Sequence, residues 1–100
     1  MKKLLLLKHI DGRAVIVFKN EDQVCNWWMN LPYPEEFSLI YEGKRKKSGH
    51  RYELTYSIFD TSGKLYTKYV FCFSKKESVS LGKKIKEINP NYIIDIKKLY

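Results

Sequence analysis

Residues 71–79 read FCFSKKESV, and they join an apolar run to a segment with helical spacing. Ser74 precedes that segment and Glu77 stands three residues later, which is the spacing of a capping box at a helix N-terminus. Residues 16–24, IVFKNEDQV, repeat the plan with asparagine and glutamine in the corresponding places. Both stretches therefore predict a strand that ends where a helix begins.

Each junction is preceded by two runs that have the character of paired strands. Leu4–Lys8 and Arg13–Lys19 are mainly apolar, the second is rich in β-branched residues, and the turn between them contains Asp-Gly, which is a hairpin signal. Tyr52–Phe59 and Leu65–Phe73 flank an Asp-Thr-Ser-Gly turn in the same way. Each half of the chain thus predicts a hairpin that leads into its helix.

Apolar residues after each junction recur on one face of a helical wheel. The first stripe consists of Val24, Trp27, Trp28 and Leu31, and the second of Leu81, Ile85 and Ile88. Prolines follow both stripes and end the helices. A further strand is predicted after each helix: residues 37–42, in which Phe37, Leu39 and Tyr41 share one face, and residues 92–96.

Equivalent positions in the two halves lie 54 or 55 residues apart, as Phe18 and Phe73 do. Self-similarity at a fixed spacing indicates a repeated architecture. We therefore predict an α+β single domain over residues 1–100, made of two ββαβ units in the order ββαβββαβ, with a mainly antiparallel sheet and two helices. The pseudo-repeats span 1–43 and 50–100, and residues 43–50 form a basic linker or turn. The alternative is a chance likeness between two hairpin–helix segments.

The net charge of +8 belongs entirely to the later part of the chain. Residues 1–42 contain five basic and six acidic side chains, whereas residues 43–100 contain fourteen basic and five acidic ones. Such asymmetry favours a negatively charged partner, either nucleic acid or an acidic protein surface. The alternative is that the excess charge serves only solubility.

Three groups of side chains are candidates for contact with such a partner. The first is the basic run Lys44, Arg45, Lys46, Lys47 and Arg51. The second lies opposite the apolar stripe of the second helix and comprises Lys75, Lys76, Lys83 and Lys86. The third is Tyr66 with Lys68, placed on an open sheet where a base can stack. Solvated lysines and ordinary strand tyrosines are the alternative, but if the first two groups share one side they would contact several phosphates.

These features predict a small non-enzymatic protein that binds nucleic acid with a basic face, largely through phosphate contacts. A second hypothesis is a protein inhibitor or adaptor of the phage or mobile-element type (anti-defence, anti-CRISPR-like), which docks on a host protein or nucleoprotein. Tyr33, between two prolines, is its candidate contact, and the analogy rests on size and composition alone. A third hypothesis is a small basic ribonuclease that uses His50, Arg51 and Tyr52.

Neither cofactor nor metal is expected, because His9, His50 and the two cysteines lack metal-ligand spacing. We expect Cys25 and Cys72 to be small buried residues of a reducing compartment. The opening leucine run is too short for a signal peptide, and no apolar stretch has the length of a membrane span. We therefore expect a cytoplasmic protein with no membrane partner.

The run Leu4–Leu7 is apolar at every position, whereas a strand with one buried face should alternate. This pattern predicts that the first hairpin is covered on both faces. The cover is either a helix on each side or another molecule, for which a homodimer is the simplest case.

Overall fold

A computed structural model of the chain describes residues 2–45 and 49–99. Contacts between residues divide the chain into two compact units, Met1–Lys47 and Ser48–Tyr100. Each unit contains two strands, a helix and a third strand, so the α+β class and the ββαβ order are confirmed. The strands form two separate three-stranded antiparallel sheets, one in each unit.

The first unit combines three strands with a short helix and two 3-10 turns. In chain order they are β1 Lys2–His9, β2 Ala14–Asn20, a 3-10 turn Glu21–Gln23, α1 Val24–Met29, a 3-10 turn Pro34–Glu36 and β3 Phe37–Arg45. The sheet order is β2-β1-β3. Because β1 is antiparallel to both neighbours, β2 and β3 run parallel to each other, and α1 belongs to the crossover that joins them.

The central strand β1 is buried on both faces. Leu4, Leu5, Leu6 and Leu7 are each at most 2% exposed. Both faces of the first hairpin's central strand are therefore buried, as its continuous apolar pattern predicts.

A β-bulge interrupts the pairing of β1 with β3. Leu6 lies opposite Tyr41 and Leu7 lies opposite Leu39, so Ile40 is an extra residue in β3. Leu39 and Tyr41 consequently point to opposite faces of the sheet. The prediction that Phe37, Leu39 and Tyr41 share one face is therefore wrong at Tyr41, because the apolar pattern continues through the extra residue and conceals it.

The first predicted capping box does not form. Asn20 has an extended backbone and makes no side-chain cap hydrogen bond, and a 3-10 turn precedes the helix. α1 has six residues, none of them buried. Trp27 and Trp28, from the apolar stripe that the helical wheel would place in the core, are only half-buried. A helix of fewer than two turns is too short to present the predicted four-residue apolar stripe.

The second unit has the strand order of the first with a longer helix. Its elements are β4 Tyr52–Phe59, β5 Leu65–Cys72, α2 Lys75–Ile88 and β6 Ile93–Lys98, and its sheet order is β5-β4-β6. α2 buries Leu81, Ile85 and Ile88, as the sequence predicts. Cys72 is also buried as predicted, whereas Cys25 of the first unit is exposed, contrary to expectation.

The second junction does form a cap at the start of α2, with the return bond of Glu77 reaching Phe73, one residue before Ser74. The Ser74 hydroxyl accepts a hydrogen bond from the backbone N–H of Glu77 at 3.1 Å. The Glu77 carboxylate in turn accepts one from the backbone N–H of Phe73 at 3.2 Å. These bonds satisfy backbone donors that have no partner within the helix.

Replacing Ser74 with alanine should therefore lower the free energy of unfolding of the second unit by about 1 kcal/mol. The matched variant Asn20→Ala should change the stability of the first unit much less, because Asn20 makes no cap bond. Urea denaturation followed by far-ultraviolet circular dichroism would measure both changes. Equal losses in the two variants would contradict this difference between the junctions.

Gly82 lets α2 lie close to the sheet. A Cβ atom at this position would come within 3.0 Å of Ile94 Cγ2 and 3.4 Å of Leu54 Cδ1. Leu54 is fully buried in the central strand. The glycine therefore sets the distance between helix and sheet in the second unit.

Within the described residues, neither helix has the length and apolar character needed to cross a lipid bilayer.

Candidate nucleic-acid interface

The outer side of α2 carries a row of exposed lysines. Its members are Lys75, Lys76, Lys83 and Lys86. The first three line a shallow groove of about 430 Å³ together with Val79 and Ser80. They face solvent because the buried stripe of the helix is packed on the sheet. None of the four forms an ion pair with another described residue, so this lysine row is available to an external anion.

A cationic cleft lies at one end of the second sheet, beside the start of α2. It has a volume of about 550 Å³ and is lined by Arg51, Tyr52, Phe73, Ser74, Lys75 and Lys98. Its three cations come from the residue before β4, the first residue of α2 and the last residue of β6. Lys75 belongs to both the cleft and the lysine row, so the two features are continuous.

Strand register explains why these residues meet. Tyr52 lies opposite both Cys72 and Lys98, so the start of β4 adjoins the ends of β5 and β6. The backbone of Arg51 extends both ladders: its N–H donates to the Cys72 carbonyl at 3.0 Å, and its carbonyl accepts from the N–H of Leu99 at 2.8 Å. Sheet hydrogen bonds therefore hold the backbone of Arg51 at the cleft.

Sequence reasoning placed Arg51 and Lys75 in the site but missed Lys98. Lys98 is 23 residues beyond Lys75, and only the return of β6 beside β4 brings it to the cleft. The signal that could have found it is the Lys97-Lys98 pair at the end of the predicted last strand.

Aromatic rings extend from this cleft along the face of the sheet opposite α2. The His50 ring stacks on Phe73, with centroids 4.6 Å apart. Phe71 follows at 6.1 Å from His50, and Tyr69 at 5.4 Å from Phe71. We call Tyr69, Phe71, His50 and Phe73 the aromatic row. Its Phe73 end forms part of the wall of the cationic cleft.

Tyr66 and Lys68 are exposed, but they do not lie on this open face. On β5 they share the side of Val70, which lies opposite the core residue Leu54 that α2 covers. The Tyr66 ring is contacted by the ammonium group of Lys64, 5.1 Å from its centroid. This contact ties Tyr66 to the turn between β4 and β5.

The same turn is organised by Asp60, whose carboxylate collects several hydrogen bonds. It accepts from the Ser62 hydroxyl at 2.6 Å and from the backbone N–H groups of Ser62 and Lys64, each at 2.9 Å. These bonds, with one from the Tyr66 hydroxyl, lower the pKa of Asp60 below its ordinary value. Tyr66 therefore supports the turn, and the open face of the sheet presents Tyr69 and Phe71 instead.

Part of the basic run near the linker lies in a strand, and another part lies outside the residues that the structure describes. Lys44 and Arg45 belong to β3 of the first unit, so they are not linker residues as predicted. Lys46 and Lys47 lie outside the described residues. Lys44 is opposite Lys3, which forms an ion pair with Glu42 that raises the pKa of the lysine. The candidate interface, made of the lysine row, the cationic cleft and the aromatic row, is confined to the second unit.

His9 and Tyr33 lie in the first unit and serve different roles. The His9 ring contacts the carboxylates of Asp11 and Glu36 through its two nitrogens, each at 2.9 Å. These hydrogen bonds raise the pKa of His9 above its ordinary value of 6.5. Tyr33 is 60% exposed, and its carbonyl accepts a hydrogen bond from the N–H of Glu36 at 3.1 Å.

The first unit should accordingly lose stability as the pH rises. Because the folded pKa of His9 is raised, its stabilising contribution is fully present below 6.5 and disappears as the pH rises through the folded value. His9→Gln should remove this dependence, and His50→Gln should retain it. Urea denaturation at about pH 6 and about pH 8.5, followed by tryptophan fluorescence, would measure the difference. An unchanged pH dependence in His9→Gln would contradict the assignment.

Comparison of the chain with protein-family models, curated proteins and solved structures finds no match. Within residues 2–45 and 49–99, no group of three or more histidine, cysteine or acidic side chains is arranged to hold a metal ion. The function must therefore be argued from the chemistry of the lysine row, the cationic cleft and the aromatic row.

Proposed function

We propose that the second unit binds nucleic acid, largely through contacts between the phosphate backbone and the cations of the lysine row and the cleft. The observation that carries the proposal is the convergence of Arg51, Lys75 and Lys98 from three separate elements on one concave surface. Arginine presents a planar fork of donors to phosphate oxygens, and lysine contributes a compact charge.

The charge of the second unit supports the same function. Residues 49–99 contain ten basic and five acidic side chains. Cations held close together on a folded surface repel one another, and a bound polyanion relieves that repulsion. Arg51, Lys75 and Lys98 form no ion pair with another described residue, so no internal carboxylate neutralises the cleft.

The affinity of such a site should depend little on the base sequence of the nucleic acid. Lysines on an exposed helix face contact phosphates as point charges and make no paired hydrogen bonds to base edges. The exposed row on α2 consists of lysines, with Val79 and Ser80 beside them. Affinity should therefore depend on salt concentration more than on base sequence.

A salt titration of a fluorescently labelled mixed-sequence oligonucleotide tests the proposal. Fluorescence anisotropy should show binding at low salt, and log affinity should fall linearly with log salt concentration. Four phosphate contacts would give a slope of about −3 for a single strand. Poly-aspartate of matched charge should bind more weakly, because carboxylates do not reproduce the spacing of a phosphodiester backbone. Absence of binding at low salt would refute the proposal.

A second candidate function is the small inhibitor or adaptor that docks on a host protein or nucleoprotein. The observation that favours it is an exposed apolar corner, formed by Phe59, Leu65 and Ile93, at the end of the second sheet remote from the cleft. A host protein that co-purifies with the wild type and is lost from Leu65→Ser would support this function over nucleic-acid binding.

The ribonuclease hypothesis concerns the same end of the sheet as the cleft. Arg51 and Tyr52 line the cleft, and His50 stacks on its wall residue Phe73. A cleaving enzyme would shorten a mixed-sequence RNA, and His50→Ala would stop it. Equal, absent cleavage by both proteins leaves binding as the function of these residues.

A further inference from the structure

The face of the second sheet opposite α2 is open to solvent. Along β5 it presents Leu65, Thr67, Tyr69 and Phe71. Tyr69 is 63% exposed and Phe71 is 39% exposed. Large rings at adjacent positions of one strand face are normally covered in a folded chain, because leaving them in water costs free energy. Their exposure indicates a contact surface.

The two rings are spaced for separated bases and do not suit a duplex. Their centroids lie 5.4 Å apart and their planes are inclined at 67°. Bases in a duplex stack at about 3.4 Å along each strand and are paired through their edges. A base can stack on each of Tyr69 and Phe71 only when the strand is extended and unpaired.

Charge on the open face favours bases there and phosphates elsewhere. Glu53 lies opposite both Phe71 and Lys97, and Asp95 lies opposite Thr55. Two carboxylates and one ammonium group do not attract a phosphate backbone. The cations lie instead at the end of the aromatic row, in the cleft with Arg51, Lys75 and Lys98. The uncharged rings suit the neutral bases of a nucleic acid, and the neighbouring cationic cleft suits its anionic phosphates.

We propose that the second unit selects single-stranded nucleic acid, with bases stacked on Tyr69 and Phe71 and the adjoining phosphates in the cationic cleft. This inference rests on the proposed function and specifies its substrate class. The continuity of the aromatic row with the cleft selects nucleic acid as the occupant, because a purely apolar partner would leave the three cations without counter-charge.

The test compares single-stranded and duplex oligonucleotides of one sequence. Replacing Tyr69 and Phe71 together with leucine keeps an apolar surface and removes the aromatic faces. Single-strand affinity should fall about 10-fold for each ring. Duplex affinity and the slope of the salt dependence should not change, because the phosphate contacts remain. Tyr66→Leu, on the other side of β5, should bind as the wild type does.

Tyr69→Phe keeps the aromatic face and should retain single-strand affinity. Comparison with this variant distinguishes the loss of the aromatic faces from a general effect of substitution on folding. Circular dichroism and the urea midpoint would check folding. The inference is overturned if the double variant binds single strands normally, if duplex binding falls equally, or if Tyr66→Leu has the same effect. In each of these outcomes the salt-dependent binding of the wild type still supports the proposed function. Absence of all wild-type binding at low salt refutes both.

Discussion

Replacing Lys75, Lys83 and Lys98 together with glutamine should weaken nucleic-acid binding about 100-fold at about 0.1 M salt. The three lysines belong to the lysine row and the cleft, and none forms an ion pair with another described residue. Glutamine keeps most of the side-chain length and removes the charge. Because each lost phosphate contact should reduce the slope of log affinity against log salt by about 0.7, the triple variant should lose about two units of slope.

A control variant separates local contact from net charge. Lys2, Lys8 and Lys64 are also exposed, and they lie in β1 and in the turn between β4 and β5. Replacing these three with glutamine removes the same total charge. Affinity and slope should then change only slightly, because these three lysines belong neither to the lysine row nor to the cleft. If the two triple variants lose affinity equally, the binding depends on overall charge, and the lysine row and cleft are not the site.

The largest effect on stability is expected from Gly82→Val, which should reduce the free energy of unfolding of the second unit by about 3 kcal/mol. Its Cβ would already lie 3.0 Å from Ile94 Cγ2, and the two methyl groups add volume where α2 meets the sheet. The helix must move outward or the side chains must leave their preferred rotamers. A displaced α2 would also move Lys75 away from Arg51 and Lys98, so binding should weaken as well.

Ser80→Val is the matched control for this prediction. Ser80 lies two residues earlier on the exposed side of the same helix. Valine there changes only helix propensity, which costs less than about 0.7 kcal/mol. Urea denaturation followed by circular dichroism would compare the two variants. If Gly82→Val costs no more than Ser80→Val, the helix is not held against the sheet as described.

Much of the fold could be predicted because local signals were strong. The Asp-Gly and Ser-Gly turns are confirmed: Gly12 and Gly63 have φ values of 93° and 85°, a region that glycine adopts without steric cost. The predicted strand Tyr52–Phe59 agrees with β4 at both ends. The second helix begins after Ser74 because its capping box and its apolar stripe favour the same boundary.

Other features could not be predicted because they depend on pairing between distant segments. The bulge at Ile40 is set by the register of β3 on β1 and leaves no trace in composition. The first junction has residue types that suit a capping box, but the side chain of Asn20 makes no cap hydrogen bond. The alternation of side chains along β5 places Tyr66 and Tyr69 on opposite faces of the sheet. Only the packing of α2 against Leu54 decided which of these faces the helix covers.

The sequence by itself determined the order of strands and helices, the position of the turns and the concentration of positive charge after residue 42. These properties follow from neighbouring residues, since turn chemistry, capping and periodicity act over a few positions. Only the tertiary structure decided that Arg51, Lys75 and Lys98 surround one cleft and that Phe73 connects it to an open aromatic face. Sheet register brings the ends of β5 and β6 to the start of β4, and such long-range hydrogen bonding cannot be derived from local sequence.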